Sequence, residues 1–484
     1  MADPVYTVAI EFVSGSFTNV SSHCLGFTFT RALADVDNNF SAGRATVSFD
    51  NETGRFSPQN SSSPYFGMLT TNKRLKMTAT YAGSSYNLFQ GYINRVGVDP
   101  RIGMRQAVLE ADDLISVLQR RRIKSALFTD TVISSLVATT LSLSGVVTTD
   151  VATIEAVDLT EAATFYWIQD RQPNQALDSI IKFGSYLGYV DGAGQFVFRN
   201  RYFGLGRTAT LSLVGDFYSY DYSLTDELVR NNIVAAVEPR VSASTLQVVS
   251  QLQEAVTIPS SSGIGFLLNY VDPDIPTESA PATGMVTPVA STDYWFGSTT
   301  NSGASDLTNN CSVQVTFFGG SAVCSVWNGT ATAAYATKFQ LRGYSAQKKP
   351  MLSYGTQDTS SQNVYGIKDF TLTSELFSSL PFMRDHADFL LAKYKNVFPE
   401  LRVGISNQFP DCLSTDLAAV IHIVESLTSV GTDHLVRGVE HTVVLDRGLQ
   451  HQVIFDVKPY SIGKYFILDD SVYGVLDSDN ILGF

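Results

Sequence analysis

The sequence predicts a mainly β protein with an α/β module set inside it. Three observations carry this reading. The 484 residues include 30 Phe and 22 Tyr among many Val, Ser, Thr and Gly, and aromatic and β-branched side chains suit a pleated, half-buried surface. The first hundred residues alternate apolar and polar side chains with the period of a strand. At Asp112 that period lengthens to the period of a helix, and it returns to a strand period near Ala209.

Residues 1–111 read as short antiparallel strands forming a small barrel or sandwich. RATVSF sets Ala45, Val47 and Phe49 on one face, and LKMTATY does the same with Leu75, Met77, Ala79 and Tyr81. FQGYINRVGV and MRQAVLEA supply two more strands. Between the first two lies the connection Asp50–Leu69, whose Asn, Gly, Ser and Pro residues exclude a strand through most of it. It is too long for a hairpin turn, yet Phe56, Pro58, Pro64, Tyr65 and Phe66 are rigid or apolar. Such a segment packs against something: its own core, or a neighbouring chain or ring, with Phe56 and Tyr65 expected at that boundary.

Residues 112–205 read as the α/β module. DDLISVLQRRR opens with acidic and closes with basic residues, as a helix dipole favours. TVISSLVATTLSLSG carries Ile133, Leu136, Val137 and Leu141 on one stripe with Asp130 as its expected cap. PNQALDSIIKFGSYLG is a third helix, expected to stop at Gly188 and pass into the hairpin YVDGAGQFVFRNR. Strands dominate from residue 206 to 460, with IPSSSGIGF and VDPDIPTESAPATG expected as loops within a β-rich excursion at about 251–350. A helix near 381–396 carries Met383, Ala387, Leu390, Leu391 and Tyr394, with Pro381 at its start. LAAVIHIVESL, LVRGVEHTVVLD and HQVIFDVKPY are strands, and 461–484 is a C-terminal segment.

Composition and motifs exclude several functions. Asp and Glu number 46 against 33 Lys and Arg, a formal charge of −13, which repels phosphate backbones. MADPVYTVAIEF has no secretory signal, and no apolar run reaches transmembrane length, so a soluble protein made in a cytoplasm is expected. Cys24 and Cys412 stand alone in sequence. A hairpin turning at Gly319-Gly320 puts Cys311 opposite Asn328 and Cys324 opposite Val315, too far apart for a bridge, so free thiols are expected.

No constellation reaches catalysis. His386 falls on the charged side of the late helix with no second ligand at i+3 or i+4. A turn at Asp446–Leu449 puts His441 opposite Ile454 and His451 opposite Val444, on different faces. FGLGRT at Phe203 lacks the third glycine of a dinucleotide turn, and GSYLG at Gly184 has its serine one position early for a nucleophile elbow. Glu110, Asp112 and Asp113 sit where a helix cap is expected, DNETGR at Asp50 lacks a calcium loop's ligand spacing, and Arg120–Arg122 suit a solvated helix end.

Two segments, SAGRATVSFDNETGRFSPQNSSSPYFGML and KRLKMTATYAGSSYNLFQGYINRV, resemble the first barrel of bacteriophage tail baseplate and tail-tip hub proteins. The resemblance rests on Asp50, Asn51, Arg55, Phe56, Ser57, Pro58, Ser63, Pro64, Tyr65 and Leu69, followed by Leu88, Phe89, Gly91, Tyr92 and Ile93. It continues through SGASDLTNNCSVQVTFFGGSAVCSVWNG, YATKFQLRGY, SQNVYGIKDFTL, DHADFLLAKY and the closing KYFILDDSVYGVLDSDNILGF.

What this resemblance implies is a homotrimeric hub with two tail-tube-like barrels per chain, residues 1–111 and 206–460. Three chains would offer six barrels to a six-fold tail tube and form part of the DNA exit channel. The implied partners are the tail tube or a distal tail ring, and a spike, fibre or tape-measure C-terminus. The implied location is the virion, after synthesis in a host bacterial cytoplasm. Catalytic residues, cofactors, metals, specific nucleic-acid binding and membrane insertion are expected to be absent. The chain stops at Phe484, so no peptidoglycan-cleaving or receptor-binding extension is expected. Two other function classes stay open: a receptor- or carbohydrate-binding module using Trp295, Trp327 and Tyr294, and a cell-wall enzyme.

Overall fold

Period-two alternation in the first 112 residues produces seven strands: β1 (Val5–Val13), β2 (Ser16–Asn19), β3 (Cys24–Ala32), β4 (Arg44–Asp50), β5 (Arg74–Tyr81), β6 (Ser84–Asp99) and β7 (Gln106–Asp112). The computed structural model describes residues 3–157, 162–201, 203, 207–301, 303–374, 380–446 and 448–460. The seven strands pair antiparallel in the order β3-β4-β7-β6-β5-β1-β2. Although β1 and β3 lie far apart in that order, the rings of Tyr6 and Phe27 are 5.8 Å apart, so the sheet curls round on itself. The curl encloses Val8, Ile10, Val47, Phe49, Leu75, Met77, Phe89 and Leu109, one face of each alternating strand.

The connection after β4 closes over this core. Phe56 is fully buried and stacks on Phe49 at 4.4 Å, while Tyr65 stacks on Phe12 at 4.3 Å. Asn51 fixes the entry to the loop: its Oδ1 accepts from the Phe56 N–H at 2.8 Å and its Nδ2 donates to Ser57 Oγ at 3.0 Å. The expectation that Phe56 sits at a boundary between chains is therefore corrected: its ring is wholly buried in its own core. Tyr65 is half-buried and packs on the same core from the outside.

A second half-sheet uses strands Leu211–Val214, Ser219–Leu224, Pro399–Ser406, Val420–Glu425, Val430–Val444 and Gln450–Pro459 around Leu401, Val403, Ile405, Ile421, Val436 and Phe455. Strand Val430–Val444 pairs antiparallel with β3, Gly438 opposite Ala32 and Val444 opposite Gly26. That seam joins thirteen of the described strands into one sheet with β2 at one end and Ser219–Leu224 at the other. Each half keeps its own core, and the fold is mainly β throughout. Among the described residues, no helix is long and apolar enough to cross a membrane.

Along the chain, three α-helices among the described residues fall between the halves, while the excursion and a later helix interrupt the second half. Helix Ile133–Leu143 buries the expected stripe Ile133, Leu136, Val137 and Leu141. Its cap is not Asp130, which lies in strand Phe128–Val132; Val132 holds the capping position without a side-chain bond. The first helix is a short Ile115–Gln119. Helix Pro173–Gly184 ends at Ser185 rather than Gly188, because Ser185 adopts a left-handed conformation, φ 54° and ψ 33°, and Leu187–Val190 is already a strand. Its Ile180 and Ile181 share one core with Ile233 and Ala235 and with Met383 and Leu390 of helix Leu380–Tyr394.

In the excursion, the hairpin Cys311–Phe317 and Ser321–Asn328 has the expected register, Cys311 opposite Asn328 and Val315 opposite Cys324. SGIGF is not a loop: it begins strand Ser262–Asn269, with Ile264 and Phe266 alternating against Gly263 and Gly265. The C-terminal segment 461–484 lies outside the described residues.

Candidate functional site

His441 and His451 are brought together by a one-residue difference in register. The loop spans Leu445 to Leu449, one residue longer than expected, so His441 faces Val453 and His451 faces Val443. Both rings therefore point to the same side. His451 Nε2 lies 2.9 Å from His441 Nδ1, and its Nδ1 lies 2.8 Å from Tyr6 Oη. His441 also stacks on Phe29 at 4.2 Å. The chain Tyr6–His451–His441 thus links β1 to the seam strand inside apolar packing. Burial holds both histidines below their ordinary range, His451 at about 4, and each therefore favours its neutral form.

His386 is also placed differently from expectation. It lies on the buried face of its helix, with Nε2 2.7 Å from Ser185 Oγ, so the displaced serine of GSYLG has a histidine partner. Ser185 borders a cavity of about 230 Å³ walled by Phe389, Phe398, Leu435 and Lys458, and His386 does not line it. His386 Nδ1 is buried without a hydrogen-bond partner, so no carboxylate orients the ring as a catalytic base requires. Burial lowers the affinity of this imidazole for a proton well below the usual value. Half of FGLGRT, residues 204–206, lies outside the described residues.

The three carboxylates at the first strand-to-helix junction take separate partners. Glu110 accepts from Arg95 at 2.6 Å and Asp112 from Asn94 at 2.6 Å. Asp113 accepts from the N–H of Gly43 and of Ile115, each at 2.9 Å, which ties β4 to the helix start. Burial pushes its carboxyl up to about 7 against the pull of those two bonds and of Arg31. Arg120 reaches Asn72, Arg121 reaches the Ser144 carbonyl and Arg122 reaches Asp170. The three cations diverge and form no anion cradle. The four cysteines are free and buried. Among the described residues, no three His, Cys, Asp or Glu side chains group to hold a metal ion.

A buried ionic cluster is a further polar feature, one that sequence reasoning missed. Asp37, just beyond β3, accepts from Arg230 at 2.6 Å, Lys458 at 2.6 Å and Tyr394 Oη at 2.9 Å. Asp35 beside it pairs with Arg437 at 2.7 Å. Burial alone would raise the Asp37 carboxyl, but Lys458, Arg230 and Arg437 together hold it near 2. One short loop is thereby bound to the seam strand, the last described strand and the late helix. Its partners lie 193 to 421 positions away, and no local spacing signals such a cluster.

Of the aromatics singled out as a possible platform, Tyr294 packs on Phe296 and Phe339 at 5.4 and 5.9 Å. Trp295 is half-buried. Trp327 is open, with 54% of its surface exposed.

No family model matches the chain, and no curated protein matches it by sequence. The fold is similar to two solved structures over nearly their whole length. For the 43 kDa tail protein of prophage MuSo2 from Shewanella oneidensis, the TM-score is 0.51 at 7% identity, covering 94% of this chain and 98% of that one. For the tail protein from Neisseria meningitidis MC58, the TM-score is 0.52 at 8% identity, covering 95% and 98%. At such identities the likeness is one of fold.

Proposed function

We propose that this chain is a structural, non-enzymatic component of a bacteriophage tail. More narrowly, it is a homotrimeric hub at the tail tip, placed between a six-fold tube and a three-fold tip. The observation that carries the reading is a likeness to two tail proteins running from end to end, centred on a sheet made of two half-sheets with separate cores. Two similar modules per chain let three copies present six, which resolves the symmetry mismatch. On this reading residues 1–111 and 206–460 are the two barrels, 112–205 the α/β module and 461–484 the closing segment. The partners are the tail tube or a distal tail ring on one side and a spike, fibre or tape-measure terminus on the other.

The chemistry of the chain suits this role. Many of its ionisable side chains are spent on ion pairs, caps and buried links that hold elements in place. The net charge of −13 would let DNA pass a lumen without the counterion-releasing contacts that retard it. The protein would be made in the host cytoplasm and end in the virion. Light scattering on the purified chain tests the proposal: a mass three times the 52.7 kDa of one chain is expected, with ring-shaped particles in micrographs. A monomer at every concentration, with no rings, would overturn it.

A further inference from the structure

The sheet formed by Ser262–Asn269, Ser321–Asn328 and Cys311–Phe317 has two unlike faces. One buries Leu268, Cys324, Val326 and Cys311 in the core of the excursion. The other is open and consists of three cross-strand rows: Gly263–Trp327–Ser312, Gly265–Ser325–Gln314 and Leu267–Val323–Thr316. None of these nine side chains is charged, on a chain that carries −13.

Trp327 sits in the middle strand at one end of this grid, with more than half its surface exposed. The residue across from it is glycine, and the space a Cβ would take there is filled by the ring: such a Cβ would lie 3.0 Å from Cε3 and 3.7 Å from Cζ3 of Trp327. The indole therefore leans over Gly263 and leaves more than half of its surface open. Gly265, next along the same edge, also has no side chain, so the floor beside the ring is shallow. Ser312, Ser325 and Gln314 border it with hydroxyl and amide groups.

We infer that this face is a binding platform for an uncharged saccharide chain. A pyranose has an apolar C–H face and a rim of hydroxyls. The C–H face complements the negative π-face of an indole, and the rim finds donors and acceptors on Ser312, Ser325 and Gln314. A polyanion would find no cation among the nine residues. This inference stands apart from the hub reading and holds whether or not the chain trimerises.

The test uses the full chain titrated with maltohexaose, cellohexaose and N-acetylchitohexaose, read by tryptophan emission and by saturation-transfer NMR, with dextran sulfate as the charged comparison. At least one neutral hexasaccharide should bind with a dissociation constant on the order of 1 mM. Trp327→Ala should weaken that binding by at least ~10-fold with an unchanged melting temperature, and Trp327→Tyr should restore part of it. Gly263→Val, whose Cβ would press on the ring and displace it, should also weaken it. Silence from all three sugars, an undiminished response in Trp327→Ala, or preference for dextran sulfate would overturn the assignment. A change of oligomeric mass in Trp327→Ala would overturn it too, since the face would then be a contact between copies.

Discussion

At the scale of single residues, histidine register decides what the seam does with pH. His451 and His441 are neutral when buried, and their folded-state affinities for a proton lie below the ordinary value, His451 at about 4. The unfolded chain therefore binds more protons than the folded one between about pH 6.5 and pH 4. Stability should be full above the unfolded value and fall as the pH drops through that window, by about 3 kcal/mol for His451 alone. Urea unfolding at pH 7 and pH 4.5 should show the loss, and His451→Gln should flatten it. A second expectation concerns Asp37: Asp37→Ala leaves Lys458, Arg230 and Arg437 facing one another without their shared carboxylate. Removing one partner of a buried ionic group costs ~3–5 kcal/mol, which thermal unfolding would register. The cysteine hairpin was legible in the sequence because the Gly319-Gly320 turn leaves one pairing. The histidine pair was not, because a loop ambiguous by one residue flips every side chain beyond it.

At the scale of elements, alternation was a sound guide and termini were not. Strands and helical stripes follow from side-chain periodicity, which is local. Helix ends depend on caps and on single left-handed residues such as Ser185, which sequence position alone does not assign. The long connection after β4 shows its purpose only in three dimensions. Phe56→Ala should cost ~3–5 kcal/mol of stability, because the ring is wholly buried against Phe49, while the oligomeric mass stays unchanged. The seam carries its own test. A Cβ on Gly26 would lie 2.6 Å from the carbonyl oxygen of Val443, a backbone atom that cannot swing aside. Gly26→Ala should therefore lower stability by ~1–3 kcal/mol, seen as an earlier melting midpoint, where the same change at exposed Gly355 does not press on any neighbouring atom.

At the scale of the whole molecule, what the sequence withheld is the joining of its two ends. A mainly β chain with a helical interlude was readable from periods. Nothing local says that β3 pairs with Val430–Val444, or that Asp35 waits for Arg437, 402 positions later. That separation has a consequence for biogenesis. At ~5–20 residues per second a ribosome needs on the order of half a minute to make the intervening chain. Through that time β3 has β4 on one side and an unpaired row of backbone donors and acceptors on the other, the kind of edge that recruits foreign strands. A fragment ending at Ser429 should consequently aggregate on expression, while adding a peptide of residues 430–460 during refolding should return it to solution. The nascent protein carries an unfinished edge until Val430–Val444 has been made, and its yield in a cell depends on what shields that edge until this late partner emerges.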